Sequence, residues 1–246
     1  MNRCGDLPAS VIALVCSVCL AGCSAIKPVA KDPMPAFAPG ARILFQGDSI
    51  TDGNRGRNND LNHILGHGYQ ALIASRFGAD LPERNLLFIN RGTSGNRVSD
   101  LLGRWQTDAI DLKPDILSIL IGVNDLNSGV SAEEYERKYD QLLGDTVKAL
   151  PRVKLVLCEP FGLPVRSKKD NWETYRADLE TRQAIVARLA EKYHAPVVHF
   201  QKTFDHAVRR APADYWIWDG VHPTYAGHQL MADEWIRTVR DYWPAP

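Results

Sequence analysis

A serine, a histidine and an aspartate in this sequence have the chemical properties needed to attack a carbonyl group. Ser49 directly follows a short apolar run, in the sequence Gly47-Asp48-Ser49. A serine hydroxyl is a weak nucleophile until a neighbouring base takes its proton. His222 can supply that base because histidine titrates near neutrality, and Asp219 can hold its imidazole in the required tautomer. Taken singly, Ser49 also suits a helix cap, and Asp-x-x-His also suits a surface turn.

Donors for a developing negative charge follow the next two apolar runs. Residues 90–97 are rich in glycine and polar side chains, and a helical pattern begins at Val98. Glycine lets its backbone N–H approach a ligand closely, so a backbone N–H of this stretch, near the start of that helix, is a candidate oxyanion donor. Asn124 follows the third run and carries a side-chain amide that can point at the same charge. Together these blocks predict acyl transfer.

Five apolar runs must position these residues. Each is short, rich in β-branched or aromatic side chains, and followed by glycine, asparagine or a polar turn, which is typical of strands buried on both faces. The runs cover residues 43–45, 86–89, 116–121, 153–157 and 197–200.

Amphipathic helical patterns alternate with these runs. Apolar residues recur at helical spacing over 98–105, 186–193 and 231–239, and Ser131 with Glu134 forms a capping-box pattern ahead of a further stripe. Alternating strands and helices predict an α/β fold with a mainly parallel sheet covered on both faces. In such a sheet the functional site lies at the carboxyl ends of the strands, where Ser49 is expected.

Four blocks of this sequence resemble those of the SGNH (GDSL-type) hydrolase family. They are Gly47-Asp48-Ser49, Gly95, Gly122-Val123-Asn124-Asp125 and Asp219-Gly220-Val221-His222-Pro223. The resemblance implies a flavodoxin-like three-layer α/β/α sandwich around a central, mainly parallel five-stranded sheet.

The same resemblance assigns roles to individual residues. It implies that Ser49 is the nucleophile, His222 the general base and Asp219 the residue that orients it. It also implies an oxyanion hole formed by Gly95, Asn124 and the Ser49 N–H, and Gly95 is preferred over Gly92 because it belongs to a Ser-Gly pair. No cofactor is implied.

A narrower resemblance is to the acetylxylan esterase-like branch of this family. It rests on residues 90–96 and 119–125, on Trp218-Asp219 and on Ala226-Gly227-His228. It implies a small ester substrate, with removal of acetyl groups from xylan or xylo-oligosaccharides. The alternatives are a lysophospholipase or arylesterase of the same family, and a glycan-binding lipoprotein without catalysis.

The sequence also contains candidates for substrate binding. Residues 54–68 form a polar, glycine-flanked stretch that suits hydroxyl-rich ligands better than acyl chains, and it contains Arg55 and His67. Trp218 offers a flat face to a sugar ring, or alternatively belongs to the core. We therefore predict that Arg55, His67 and Trp218 contact substrate.

Charge and motif content argue against several other functions. The 246 residues contain 29 basic and 29 acidic side chains, so the chain has no electrostatic signature of nucleic-acid binding. There is no His-Glu-x-x-His sequence, and Gly47-Asp48-Ser49 lacks the spacing of a phosphate-binding loop. We accordingly expect no metal, no nucleotide cofactor and no nucleic-acid partner.

The N-terminal region predicts export and lipid attachment. Residues 1–22 resemble a lipoprotein signal peptide, and Leu20-Ala21-Gly22-Cys23 resembles a lipobox, so Cys23 would carry lipid. The alternative is a soluble secreted protein cleaved nearby. Residues 23–39 are predicted to be the lipidated cysteine and a tether, and residues 40–246 the hydrolase domain. The expected location is the bacterial cell envelope, as an outer-membrane lipoprotein, because Ser24 rather than aspartate follows Cys23.

Overall fold

The computed structural model describes residues 32–245, which contain a five-stranded, wholly parallel sheet. The signal peptide, the lipid site predicted at Cys23 and the first part of the predicted tether lie outside the described residues. The order across the sheet is β2-β1-β3-β4-β5. The strands are β1 (Arg42–Gly47), β2 (Leu87–Asn90), β3 (Ile116–Leu120), β4 (Lys154–Cys158) and β5 (Val197–Val198).

Helices cover both faces of this sheet. The described helices are α1 (Ser49–Asp52), α2 (Tyr69–Asp80), α3 (Val98–Trp105), α4 (Val123–Asn127), α5 (Ala132–Ala149), α6 (Trp172–Lys192), α7 (Phe200–Ala207), α8 (Ala213–Trp216) and α9 (Tyr225–Tyr242). Helices α2, α7 and α9 pack on one face, and α3, α5 and the C-terminal part of α6 pack on the other. The predicted three-layer α/β/α sandwich is therefore confirmed.

The two faces of each strand contribute to two separate cores. In β1, Ile43 and Phe45 belong to the core beneath α2 and α9, and Leu44 belongs to the core beneath α3 and α5. This follows from the alternation of side chains along a strand. The buried polar residue Ser118 in β3 accepts a hydrogen bond from the indole N–H of Trp235 at 2.9 Å, so its hydroxyl is satisfied inside the core.

The domain begins earlier than the sequence suggested. Met34 and Phe37 are fully buried, and the ring of Phe37 packs edge-on against Phe77, with 5.0 Å between ring centroids. The guanidinium of Arg84 donates hydrogen bonds to the carbonyls of Met34 and Phe37 and pairs with Asp32. The prediction of a tether up to residue 39 is therefore wrong for residues 32–39, because two apolar side chains without periodicity anchor them to the core.

The last apolar run also differs from its prediction. Only Val197 and Val198 pair with β4, and Phe200 begins α7 instead of ending a strand. Phe200 is fully buried in the same core as α9. A short apolar run indicates burial but does not by itself distinguish a strand from the start of a helix.

Within residues 32–245, no helix combines the length and the apolar character that crossing a membrane would require.

Candidate active site

The turn after β1 brings the Ser49 hydroxyl to the carboxyl edge of the sheet. A Cβ atom on Gly47 would lie 2.3 Å from the carbonyl oxygen of Leu120, so only glycine fits where β1 passes β3. The carboxylate of Asp48 then accepts the N–H of Ile50 at 3.0 Å and caps α1. Ser49 is consequently the first residue of a short helix, where its own N–H has no intrahelical partner.

A loop between α8 and α9 brings His222 to Ser49. Nε2 of His222 lies 2.7 Å from Oγ of Ser49, and Nδ1 lies 2.7 Å from Oδ2 of Asp219. The other carboxylate oxygen of Asp219 accepts the backbone N–H groups of Val221 and His222, at 3.0 and 2.8 Å. These backbone contacts fix the carboxylate before it meets the imidazole, so the hydrogen-bonded chain from serine to aspartate is complete.

The pKa values of Asp219 and His222 suit the role of His222 as a base. Burial raises the pKa of Asp219, but hydrogen bonds from His222 and Val221 outweigh it and lower that pKa to about 2. The hydrogen bond to the Asp219 carboxylate raises the pKa of His222, against the opposing effect of burial. An ionised Asp219 thus makes His222 a stronger base toward the Ser49 proton.

The two candidate glycines have different surroundings. The N–H of Gly92 donates to the side chain of Asn90 at 2.9 Å, and a Cβ there would lie 2.4 Å from the Asp52 nitrogen. Gly95 is exposed, has a φ of 83°, and its N–H has no hydrogen-bond partner among the described residues. Of the two, Gly95 has the N–H that is free to meet a ligand.

Asn124 reaches the same loop from α4. One proton of its amide donates to the carbonyl of Asn96 at 3.0 Å, which leaves the second proton available. Gly122 precedes this helix with a φ of 128°, and a Cβ there would lie 2.9 Å from the hydroxyl of Tyr135. The close approach of Tyr135 therefore requires glycine at the turn that aims Asn124.

Asp52, which sequence reasoning did not single out, connects the nucleophile helix to the loop containing Gly95. It is 3% exposed and accepts hydrogen bonds from the N–H and hydroxyl of Ser94. Its carboxylate also pairs with the guanidinium of Arg57. The available sequence signal was an acidic residue three positions after Ser49, within a helix of only four residues.

The cleft at Ser49 has a volume of about 320 Å³. It is lined by Ser49, Ile50, Gly53, Asn54, His67, Ser94, Trp218, His222, Pro223 and His228. Two of the three predicted substrate-binding residues, His67 and Trp218, are among them. Arg55 is not, because its guanidinium turns away to donate to the carbonyl of Gly92 at 2.9 Å. Trp218 is about half exposed, so it is a cleft residue and not a core residue.

Within the described part of the chain, no three His, Cys, Asp or Glu side chains are grouped so as to hold a metal ion. Cys158 is a fully buried free cysteine. Burial raises the pKa of its thiol to about 12, as for an unreactive core residue.

Comparison with known proteins shows the family to which this chain belongs. A sequence profile of the GDSL-like lipase/acylhydrolase family matches residues 45–230. An acetylxylan esterase from Geobacillus stearothermophilus is 32% identical over 217 residues, which cover 83% of this chain and 96% of that protein. The chain therefore belongs to the GDSL-like lipase/acylhydrolase family.

Solved structures extend the similarity to the fold. A GDSL-like lipase from Parabacteroides merdae matches with a TM-score of 0.76 and 38% identity, covering 82% of this chain and 97% of that one. An α/β hydrolase enzyme from the metagenome of Lake Arreo matches with a TM-score of 0.76 and 32% identity, covering 85% and 99%. The prediction of a GDSL-type hydrolase is confirmed, and the protein is a carboxylic ester hydrolase.

Proposed function

We propose that this protein is a serine esterase that removes acetyl groups from acetylated xylan or xylo-oligosaccharides. The observation that carries the proposal is the 2.7 Å contact between Oγ of Ser49 and Nε2 of His222, itself held by Asp219. A hydroxyl that shares its proton with an imidazole is an activated nucleophile.

The mechanism follows from these contacts. Oγ of Ser49 attacks the ester carbonyl while Nε2 of His222 takes the hydroxyl proton. The resulting oxyanion accepts hydrogen bonds from the Gly95 N–H, the Asn124 amide and the Ser49 N–H. His222 then gives its proton to the leaving alcohol oxygen, which produces an acetyl-enzyme. Water, deprotonated by His222, attacks this ester, and acetate leaves as Ser49 regains its proton.

The cleft favours a small acyl group and a sugar alcohol. It has a volume of about 320 Å³, and histidine, asparagine, serine and tryptophan line it together with Ile50, Gly53 and Pro223. These residues form no long apolar channel. Three exposed aromatic side chains, Tyr215, Trp218 and Tyr225, lie on the segment that carries His222. Aromatic faces of this kind give a sugar an apolar surface while their polar atoms stay hydrated. Similarity to the Geobacillus acetylxylan esterase supports the same substrate class.

The test is acetate release from acetylated xylo-oligosaccharides by the purified protein and its Ser49→Ala variant. Rapid release that falls by a factor on the order of 10³ or more in the variant is expected. Ser75→Ala on the exposed side of α2 is the matched control and should behave as the parent protein does. Normal turnover by Ser49→Ala would remove Ser49 as nucleophile. Hydrolysis of p-nitrophenyl acetate without any release from the sugar would discard the xylan substrate.

The proposed location is the cell envelope, with the protein held at the outer membrane through lipid on Cys23. It is supported by the lipobox-like sequence Leu20-Ala21-Gly22-Cys23. Metabolic labelling with radioactive palmitate checks it: label should enter the parent protein and be absent from Cys23→Ser. Equal labelling of both proteins would contradict the assignment.

A further inference from the structure

His228 is one of three histidines that line the cleft, and the proposed mechanism does not use it. It lies in the first turn of α9 and is 5% exposed. Its Nδ1 accepts the backbone N–H of Tyr69, the first residue of α2, at 3.2 Å. Because a backbone N–H can only donate, Nδ1 carries no proton, and a neutral imidazole must then carry its proton on Nε2.

This neutral tautomer is the form present near neutral pH. Burial, and to a smaller extent the neighbouring imidazoles of His67 and His222, lower the pKa of His228 to about 4. His228 is consequently uncharged near neutrality and offers one N–H donor in a fixed direction.

That donor opens into the cleft. Among the described residues, Nε2 of His228 has no hydrogen-bond partner. It is also not among the unpartnered side-chain nitrogens that are buried, so this atom is accessible to solvent. The ring of His228 lines the cleft and lies 6.4 Å from that of His67. In the free protein, water can accept this hydrogen bond, and a ligand oxygen that replaces the water keeps it.

We infer that His228 is a specificity-determining residue whose Nε2–H donates a hydrogen bond to an uncharged oxygen of the alcohol half of the substrate. This inference rests on the proposed function, and for a sugar ester the acceptor is a hydroxyl, ring or glycosidic oxygen. The uncharged Nε2–H brings no net charge to pair with a carboxylate or phosphate, so the proposed acceptor is an uncharged oxygen.

The assignment to the alcohol half follows from the arrangement of the cleft. His222 gives its proton to the leaving alcohol oxygen, and His67, Trp218 and His228 line the cleft together with it. The oxyanion donors Gly95 and Asn124, which hold the carbonyl oxygen, are not among the lining residues. The alcohol half therefore extends toward His228.

Two substitutions separate the roles of the two ring nitrogens. In His228→Asn the amide reaches the position of Nδ1 and can still accept the Tyr69 N–H, but no atom occupies the position of Nε2. In His228→Gln the amide reaches the position of Nε2 and restores a donor there. His206→Asn, at an exposed position in α7, is the matched control for the chemical change alone.

The experiment compares kcat/KM on acetylated xylo-oligosaccharides with kcat/KM on p-nitrophenyl acetate, whose leaving group has no sugar oxygens. His228→Asn should lose about tenfold on the sugar ester, the usual value of one hydrogen bond, and less than twofold on p-nitrophenyl acetate. His228→Gln should recover most of the loss. His228→Asn, which keeps an acceptor for the Tyr69 N–H, should unfold at a temperature close to the parent, and His228→Gln, which lacks that acceptor, at a lower one.

Different failures have different meanings. An equal loss on both substrates, or no loss on the sugar ester, overturns the role of His228 and leaves the proposed esterase intact. Absence of any turnover of the sugar ester by the unchanged protein, with p-nitrophenyl acetate still cleaved, overturns the proposed substrate and this inference with it.

Discussion

The carboxylate of Asp52 accepts two hydrogen bonds from Ser94, from its backbone N–H at 2.9 Å and from its hydroxyl at 3.0 Å. Asp52 ends the helix that begins with the nucleophile, and Ser94 directly precedes Gly95. One buried side chain therefore fixes the distance between the serine and the proposed oxyanion donor. Asp52 acts through other residues and is a positioning residue.

Replacement of Asp52 by alanine should lower kcat by a factor of about 10 to 100 and change KM little. A displaced Gly95 N–H weakens an interaction made mainly in the transition state, and complete removal of one such donor costs about 10²–10³. Steady-state kinetics on an acetyl ester measures the effect. Arg57→Gln is the control, because it removes the half-exposed guanidinium that pairs with Asp52 and leaves the buried carboxylate free to hold Ser94. Equal damage by both substitutions would contradict the role in positioning.

The difference between what could and could not be predicted here has a physical basis. Ile116–Leu120 was predictable because a parallel strand buried on both faces reads as a continuous apolar run. The cap at Ser131, whose hydroxyl accepts the N–H of Glu134, was predictable because its partners are three residues apart. Local patterns of this kind predicted the sheet, most of the long helices and the four blocks of the site.

The unpredicted features depend on partners far apart in the chain. Asp52 meets Ser94 across 42 positions, and nothing near Asp52 indicates that contact. Helix α2 is a different case, because Tyr69, Leu72, Ile73 and Phe77 recur at helical spacing and its own residues indicate the helix. The direction of Arg55 was likewise set by the carbonyl of Gly92, which only the folded chain brings near.

Asn124→Ala should lower kcat on acetyl esters by about 10²-fold, the usual cost of one oxyanion donor. The side-chain amide of Asn124 already gives one proton to the carbonyl of Asn96, so its geometry is fixed before substrate arrives. The control is Asn127→Ala in the same helix, an exposed residue whose side-chain hydrogen bond among the described residues comes from the partly buried Lys168. An unchanged kcat in Asn124→Ala, with Asn127→Ala as reference, would exclude Asn124 from the oxyanion hole.

Stability should depend on pH through Asp48. Burial raises the pKa of Asp48 from 3.8 to about 7, and one oxygen of this carboxyl has no hydrogen-bond partner among the described residues. Between pH 4 and 7 the folded state thus holds a proton that the unfolded state releases. The contribution of Asp48 to stability is therefore lost as pH rises through this interval.

Asp48→Asn should remove that loss, since asparagine stays neutral and keeps an oxygen to cap Ile50. We expect the unfolding temperatures of variant and parent to be similar at pH 4. At pH 8 the variant should be more stable by more than about 1 kcal/mol, which is roughly 2–4 °C for a chain of this size. Calorimetry at both pH values measures this, with the exposed Asp214→Asn as control. A stability difference between variant and parent that is the same at both pH values would contradict a raised pKa of Asp48.

The segment before β1 should stabilise the domain through Phe37. The side chain of Phe37 is fully buried and packs against Phe77, Phe88 and Trp235. Phe37→Ala leaves a cavity among these rings, which costs about 3–5 kcal/mol in the free energy of unfolding. Pro39→Ala, at an exposed position of the same segment, should change it by less than about 1 kcal/mol. Urea denaturation measures both values, and a small effect of Phe37→Ala would mean that residues 32–39 behave as the tether that their composition suggested.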